Sequence, residues 1–271
     1  MYQATPENIA QHSTAQHSTG HYSGIYSDEF YEAHVNERQH ECARRIVQIV
    51  KEYLNFESVI DLGCAVGQIL NACANAGAKV ITGVDGSWVN KSKLLIPQDR
   101  FFDYDISQKG LREKLPEKNF DLTISSEVAE HLDENDAENY MDNLTSFSDV
   151  ILFSAAIPGQ GGDHHVNEQW PSYWIKKFAA RGFVPVDCIR AKIWNDDVIY
   201  VWYKQNLMFF VKKDKLENYP ALLSEANNPC LDLVHPELFK MRVNTNMPSF
   251  KGTIKNIIPS FIRAVKKRIK K

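Results

Sequence analysis

The stretch that most constrains this chain is Val59-Ile60-Asp61-Leu62-Gly63-Cys64-Ala65-Val66-Gly67. It is apolar up to Ile60, acidic at Asp61, and then turns on two glycines four positions apart. The alanine-rich run from Gln68 to Ala76 suits a helix, and Gly77 stands where that helix would stop. The reading is strand, tight turn, helix. Glycine in such a turn lets the backbone come close to a ligand.

The chain around this stretch alternates. Asp28 to Leu54 has helical spacing, with Ile46, Ile49, Val50, Tyr53 and Leu54 on one face. Strands are expected at Ser58–Leu62, Lys79–Val84, Arg100–Phe102, Phe120–Ser125, Val150–Ala155, Val184–Ile189 and Ile199–Val211. Helices are expected from Val66, from Glu127, and over Gln169–Arg181 with Gly182 as a stop. This alternation predicts an α/β fold. It would be a doubly wound, Rossmann-like sheet of seven strands with its ligand at the strands' carboxyl ends. An N-terminal helical cap would precede the sheet. The expected division is a flexible leader over 1–25, the α/β domain over 26–212, and a C-terminal extension over 213–271.

The turn does not fit the common nucleotide loops. A dinucleotide fingerprint needs glycines at i, i+2 and i+5, and those positions hold Gly63, Ala65 and Gln68. No Gly-Lys-Ser/Thr follows, so a Walker loop fails as well. An acid precedes the first glycine, and a second acid, Asp85, ends the next strand, where it can accept from ribose hydroxyls. Asp61 would repel a pyrophosphate but suits a ligand carrying an ammonium and a sulfonium.

Four motifs in order carry a resemblance: Asp61 to Gly67, Gly83-Val84-Asp85, Asp103-Tyr104-Asp105-Ile106, and Phe120 to Glu127. Together they resemble the successive motifs of class I S-adenosylmethionine-dependent methyltransferases, over roughly Tyr26 to Lys212. Ala65 stands where that family often has a middle glycine. The resemblance implies S-adenosylmethionine as cofactor. Asp61, Gly63 and Gly67 would line its methionine part, and Asp85 its ribose. Asp105 with Ile106 would meet the adenine, and Ser126 or Glu127 would lie near the reacting end.

Methyl transfer is a direct displacement in which positioning matters most, and a hydroxyl acceptor needs a base or a metal to take its proton. Two clusters offer this. One is Glu127-Val128-Ala129-Glu130-His131, whose polar residues share a face if helical; the other is Asp163-His164-His165. Glu-x-x-Glu-His with a later histidine resembles the metal site of small-RNA 2′-O-methyltransferases and a cluster in quinone-biosynthesis O-methyltransferases. On that likeness Glu127, Glu130, His131 and His165 would hold Mg²⁺ or another divalent metal. Two other readings stand beside it: His165 alone as general base, and a purely structural role; the candidate catalytic residues are His165, Glu127 and His131.

The segments His165 to Trp174, Trp202 to Asn206 and His235 to Leu238 resemble methyltransferases of bacterial cell-surface polysaccharide and glycolipid assembly. The resulting expectation is O-methylation of a sugar hydroxyl in a glycan or glycan precursor. The alternatives are an RNA or small-molecule O-methyltransferase, and a non-catalytic cofactor-binding scaffold protein. Trp170 and Trp174, four apart, read either as a sugar platform or as core.

Charge and composition bound the rest. The 271 residues are 44% hydrophobic, enough for a sizeable core. Five scattered cysteines with no CxxC pair argue against zinc and disulfide frameworks and fit a cytoplasmic protein. The net charge is −3, yet Lys251 to Lys271 carries bases and no acids. The acidic remainder argues against a broad nucleic-acid surface. Ile254, Ile257, Ile258, Phe261, Ile262, Val265 and Ile269 alternate with bases around Pro259. That pattern reads as peripheral contact with an anionic membrane or as a solvated terminal helix. The first two dozen residues, with His12, His17 and His21, read as a polar leader.

Overall fold

The computed structural model describes residues 35–226 and 232–246. The expected leader, Cys230 and the basic tail from Lys251 lie outside them.

Helix α1, Glu37–Tyr53, starts on Asn36, whose side chain accepts from the Gln39 N–H at 3.0 Å. Its buried side chains are Cys42, Ala43, Ile46, Val47 and Val50, the face that helical spacing singles out. The chain then runs β1 Ser58–Leu62, α2 Gln68–Asn75, β2 Val80–Asp85, β3 Phe101–Asp103, α3 Leu111–Lys114, β4 Leu122–Ser126, α4 Ala137–Leu144 and β5 Val150–Ser154. It continues with α5 Pro171–Ala179, β6 Phe183–Val186, α6 Ile189–Ile193, α7 Val201–Asn206, β7 Met208–Lys212 and α8 Pro220–Ser224.

The seven strands form one sheet in the order β3-β2-β1-β4-β5-β7-β6. All neighbours are parallel except β7, which is antiparallel to both β5 and β6. Strand order reverses between β1 and β4, so a crevice opens at their carboxyl ends, where ligands of open α/β sheets bind. Alternating side chains feed two cores, one on each face. Val59, Leu122, Leu152 and Phe209 go to one face; Ile60, Ile151, Phe153 and Phe210 go to the other. The second core is aromatic, with Phe178 stacked on Phe210 at 3.7 Å and Phe153 edge-on to both.

Several sequence expectations need correction. The expected strand Ile199–Val211 is two elements, the short helix α7 and the strand β7. No helix starts at Glu127: its φ is +54°, which breaks helical continuity; two 3₁₀ turns, Ala129–His131 and Glu134–Asp136, follow, and the helix α4 begins only at Ala137. The strand expected at Val184–Ile189 is β6, and Ile189 opens α6. Trp170 and Trp174 do not share a helix face. Trp170 is the extended residue before Pro171 and is exposed, whereas Trp174 is buried in the core.

The compact unit extends past Lys212 to Leu233, and Leu222 of α8 is fully buried in the α1-side core. The described part of a second unit is a helix, α9 Pro236–Asn246. The His235 Nδ1 accepts from the Glu237 N–H at 3.1 Å at its start. No helix among the described residues is long and apolar enough to cross a membrane. Cys42, Cys64, Cys73 and Cys188 are free and buried.

Candidate active site

A cavity of about 470 Å³ opens over the carboxyl ends of β1, β2 and β4. The turn after β1 forms its floor. Gly63 and Gly67 have φ of +84° and +82°, and the intervening Ala65 is also left-handed at +46°. Alanine therefore occupies a conformation that favours glycine, at a cost of about 1 kcal/mol. A side chain on Gly63 would lie 2.4 Å from Val128 Cγ2, so the bare backbone is needed for the turn to nest under the loop after β4. The Gly63 N–H donates to the Val84 carbonyl at 2.8 Å, anchoring the turn to β2.

Asp61, near the end of β1, and Asp85, the last residue of β2, both line the cavity. Asp61 is buried and its Oδ1 has no hydrogen-bond partner. Burial, reinforced by the neighbouring Asp85 charge, pushes its carboxyl up to about 8. Burial also raises Asp85, to about 6, against the stabilising effect of three donors. Those donors are the Ala65 N–H at 2.8 Å, the Gly86 N–H at 2.7 Å and the Trp88 indole at 3.0 Å. Asp105 lines the cavity with Ile106 and folds back on Ser107, accepting from its N–H and hydroxyl. Asp103 instead lies outside the lining and pairs with Lys91 at 3.5 Å.

At the other end, β4 and the loops after β4 and β5 converge. Glu130, His131 and His165 bring ligand atoms within 4.8 Å of one another. The Glu130 carboxylate is fully buried and neither oxygen is in hydrogen-bond geometry with a donor. Its polar neighbours are the backbone of Glu130 and Ala156 and the Glu127 carboxyl, and burial drives its pKa far up. The His131 and His165 rings meet edge to face at 4.9 Å. Burial, then the facing His165, hold His131 down to about 4, so its imidazole is neutral at pH 7. His165 Nδ1 lies 2.9 Å from Glu168 Oε1. Glu168 also accepts from the Gly159 and Gly161 N–H groups at 2.7 and 2.5 Å. That carboxylate fixes both the loop and the ring, leaving Nε2 as the outward nitrogen. Gly162 lies beneath it: a Cβ there would be 2.3 Å from His165 Nε2.

Glu127 neighbours Glu130 but its oxygens are not in the ligand cluster. Its carboxylate accepts from Gln160 Nε2 at 2.8 Å and Asn206 Nδ2 at 3.1 Å, and Asn206 Nδ2 also donates to Gln160 Oε1 at 2.8 Å. So of the four expected metal ligands the structure gathers three. Gln160, Asn206, Trp202 and Tyr203 were not expected in the site. Trp202 and Tyr203 line the cavity, and the Tyr203 phenol lies beside Ser126. The segment Trp202 to Asn206 stood out in the sequence as a familiar run. Read as a strand, it could not be placed here.

Two features fit the cofactor that the sequence implies. The Asp61 oxygen is an unpartnered acceptor, and Gly63 leaves a cradle that a side chain would fill. The trio of Glu130, His131 and His165 likewise offers oxygen and imidazole donors in a set that fits a divalent metal.

Comparison with known proteins agrees with this geometry. Residues 34–181 match the family described as a methyltransferase domain. An S-adenosylmethionine-dependent methyltransferase from Archaeoglobus fulgidus is similar in structure at 17% identity and a TM-score of 0.50, covering 69% of this chain and 100% of that one. Magnesium protoporphyrin IX methyltransferase from Synechocystis, solved with S-adenosylhomocysteine, is 17% identical with a TM-score of 0.49, covering 71% and 92%. The methyltransferase domain of a bacterial Hen1 protein is 19% identical with a TM-score of 0.46, covering 65% and 98%. At such identities the likeness bears on the fold alone. No curated protein matches the chain. With more than half of its length matched, the chain belongs to the methyltransferase-domain family and is an S-adenosylmethionine-dependent methyltransferase.

Proposed function

We propose that the protein is an O-methyltransferase acting on a sugar hydroxyl of a glycan or glycan precursor, with a divalent ion held by Glu130, His131 and His165. The observation that carries the metal reading is the Glu130 carboxylate, fully buried beside two imidazoles with no donor on either oxygen. Burial keeps the Glu130 carboxyl protonated when no cation is near, and a divalent ion beside it would stabilise the ionised, ligating form. A neutral His131 keeps a lone pair for such a role. When bound, a divalent ion lowers the pKa of a coordinated hydroxyl.

The chain's own residues would position the reactants. Asp61 would face the ammonium of the cofactor and Asp85 its ribose hydroxyls; Gly63 and Gly67 would let the backbone approach, and Asp105 with Ile106 would meet the adenine. Ser126, beside Tyr203, would border the reacting end. His165, oriented by Glu168, would hold the ion, and Glu127, held by two amides, would receive the acceptor and its proton. The sugar part is supported by the likeness of segments 165–174 and 202–206 to methyltransferases of glycan assembly. Placement at a membrane would depend on the basic tail, which lies outside the described residues.

The test is incubation with methyl-labelled cofactor and cell fractions, with and without a chelator, followed by Mn²⁺ or Mg²⁺. Label in polysaccharide or glycolipid, lost with chelator and restored by the ion, is expected. Label in RNA would overturn the sugar reading. Calorimetric Mn²⁺ binding gives a readout independent of turnover: the wild type should bind and Glu130→Gln should not.

A further inference from the structure

We infer that Trp202 is the docking platform of the acceptor, and that the acceptor part resting on it is an uncharged sugar ring. This deepens the reading above and rests on it. Helix α7 borders the reacting end of the cavity: Tyr203 lies beside Ser126, and Asn206 donates to Glu127 at 3.1 Å. Trp202 lies on this helix and lines the cavity.

The ring is built into a stack. Tyr200 lies parallel to it, with centroids 4.5 Å apart and planes at 13°. The Arg38 guanidinium lies over the Tyr200 ring at 4.4 Å. Two groups cannot occupy one face of a ring at those distances, so Tyr200 is sandwiched between Arg38 and Trp202. Arg38 is held by the Asp197 and Val198 carbonyls at 3.0 and 3.4 Å. Tyr203 braces Trp202 at an angle of 61°. Tyr200 covers one face of the Trp202 ring and, unlike Trp202, does not line the cavity. A flat ring, fixed from behind, offers its negative π face where an acceptor must sit.

Charge then selects the occupant. Among the described residues the cavity is lined by Asp61, Asp85, Asp105, Glu127, Glu130 and Asp163, with no lysine or arginine. Phosphodiesters are held by Lys and Arg, so this wall disfavours RNA or a sugar phosphate. A sugar ring instead presents slightly positive C–H groups to the indole face. Its hydroxyls match the amides and carboxylates around it, with Gln39, Gln160 and Glu127 all lining the same cavity.

The full-length protein tests this with methyl-labelled cofactor and two kinds of probe: methyl glycosides of glucose, galactose, mannose and rhamnose, and a short single-stranded RNA. Variants are Trp202→Leu, which keeps an apolar plug without a π face, Trp202→Phe, which restores a ring, and Arg38→Met, which lies outside the cavity. At least one glycoside should be methylated. Its KM should rise about tenfold in Trp202→Leu with kcat much less affected, recover in Trp202→Phe, and rise by a smaller factor in Arg38→Met. A merely structural Trp202 would not give this split. Should Trp202→Leu fail to fold, the Arg38→Met KM decides, and an unchanged value counts against the stack. Turnover of a glycoside with unchanged KM in Trp202→Leu removes the platform but leaves the sugar reading standing. Turnover of RNA alone, or of no glycoside, overturns both.

Discussion

The Asp85 carboxylate accepts the Ala65 N–H at 2.8 Å, binding the end of β2 to the turn after β1. The same group that would meet the ribose thus also shapes the floor under the methionine part. Loss of a hydrogen bond to a charged group costs about 1.5–3 kcal/mol, and here three donors share one carboxylate. Asp85→Ala should therefore weaken binding of S-adenosylhomocysteine by at least about tenfold, measured by calorimetry. An unchanged affinity would remove Asp85 from the cofactor site.

Asp61 carries a larger burial penalty than Asp85. Its folded pKa, about 8, lies above the ordinary value of 3.8. Between those values the folded state binds more protons than the unfolded one, so stability falls as pH rises through that window. The penalty is complete above pH 8. Asp61→Asn removes it. The cofactor-free variant should gain in Tm over wild type, by an amount small at pH 5 and largest near pH 8, corresponding to a few kcal/mol at most. Cofactor affinity should fall in the same variant. A difference in Tm that did not grow with pH would show that Asp61 is not buried as a strained carboxylate.

Gly63 gives a steric test of the turn. A methyl there meets Val128 Cγ2 at 2.4 Å, in a backbone with φ of +84°. Gly63→Ala should lower stability by about 2–4 kcal/mol, from left-handed strain and overpacking together. Gly63→Ala with Val128→Ala should restore the overpacking part only. Strict additivity of the two changes in denaturant melts would rule out the contact.

The cofactor half of the site could be read from sequence because its parts are local and ordered along the chain. A buried parallel strand is a continuous apolar run, and β1 shows one from Val59 to Leu62, broken only by Asp61. The acceptor half depends on contacts that no local pattern records. Val201, Trp202 and Tyr203 are residue types that favour strands, and six residues are too few for a helical period to appear. What makes α7 a helix facing the site is tertiary: Asn206 donates to Glu127, and Tyr203 packs beside Ser126. Similarly, the spacing of Glu127, Glu130 and His131 implied one helix face. The left-handed Glu127 dissolves that face, while the 3₁₀ turn still delivers Glu130 and His131 to His165.

Asn206 ties the acceptor half together, and its removal has a predictable signature. Its Nδ2 donates to both Glu127 and Gln160, joining the end of α7 to the loops after β4 and β5. Asn206 is 3% exposed and Gln160 6% exposed, so water would not readily replace the lost donor. Asn206→Ala leaves the buried Glu127 carboxylate with the Gln160 amide as its side-chain donor at 2.8 Å. Stability should drop by about 1–3 kcal/mol in denaturant melts. Asn206→Asp should do worse, because a second carboxylate would face Glu127 in a buried setting. Neither change touches the turn after β1, so S-adenosylhomocysteine affinity should stay within about threefold of wild type, a difference below 1 kcal/mol, while turnover falls. A variant that lost cofactor affinity as strongly as turnover would show that the Glu127–Gln160–Asn206 link supports the whole crevice rather than its acceptor end.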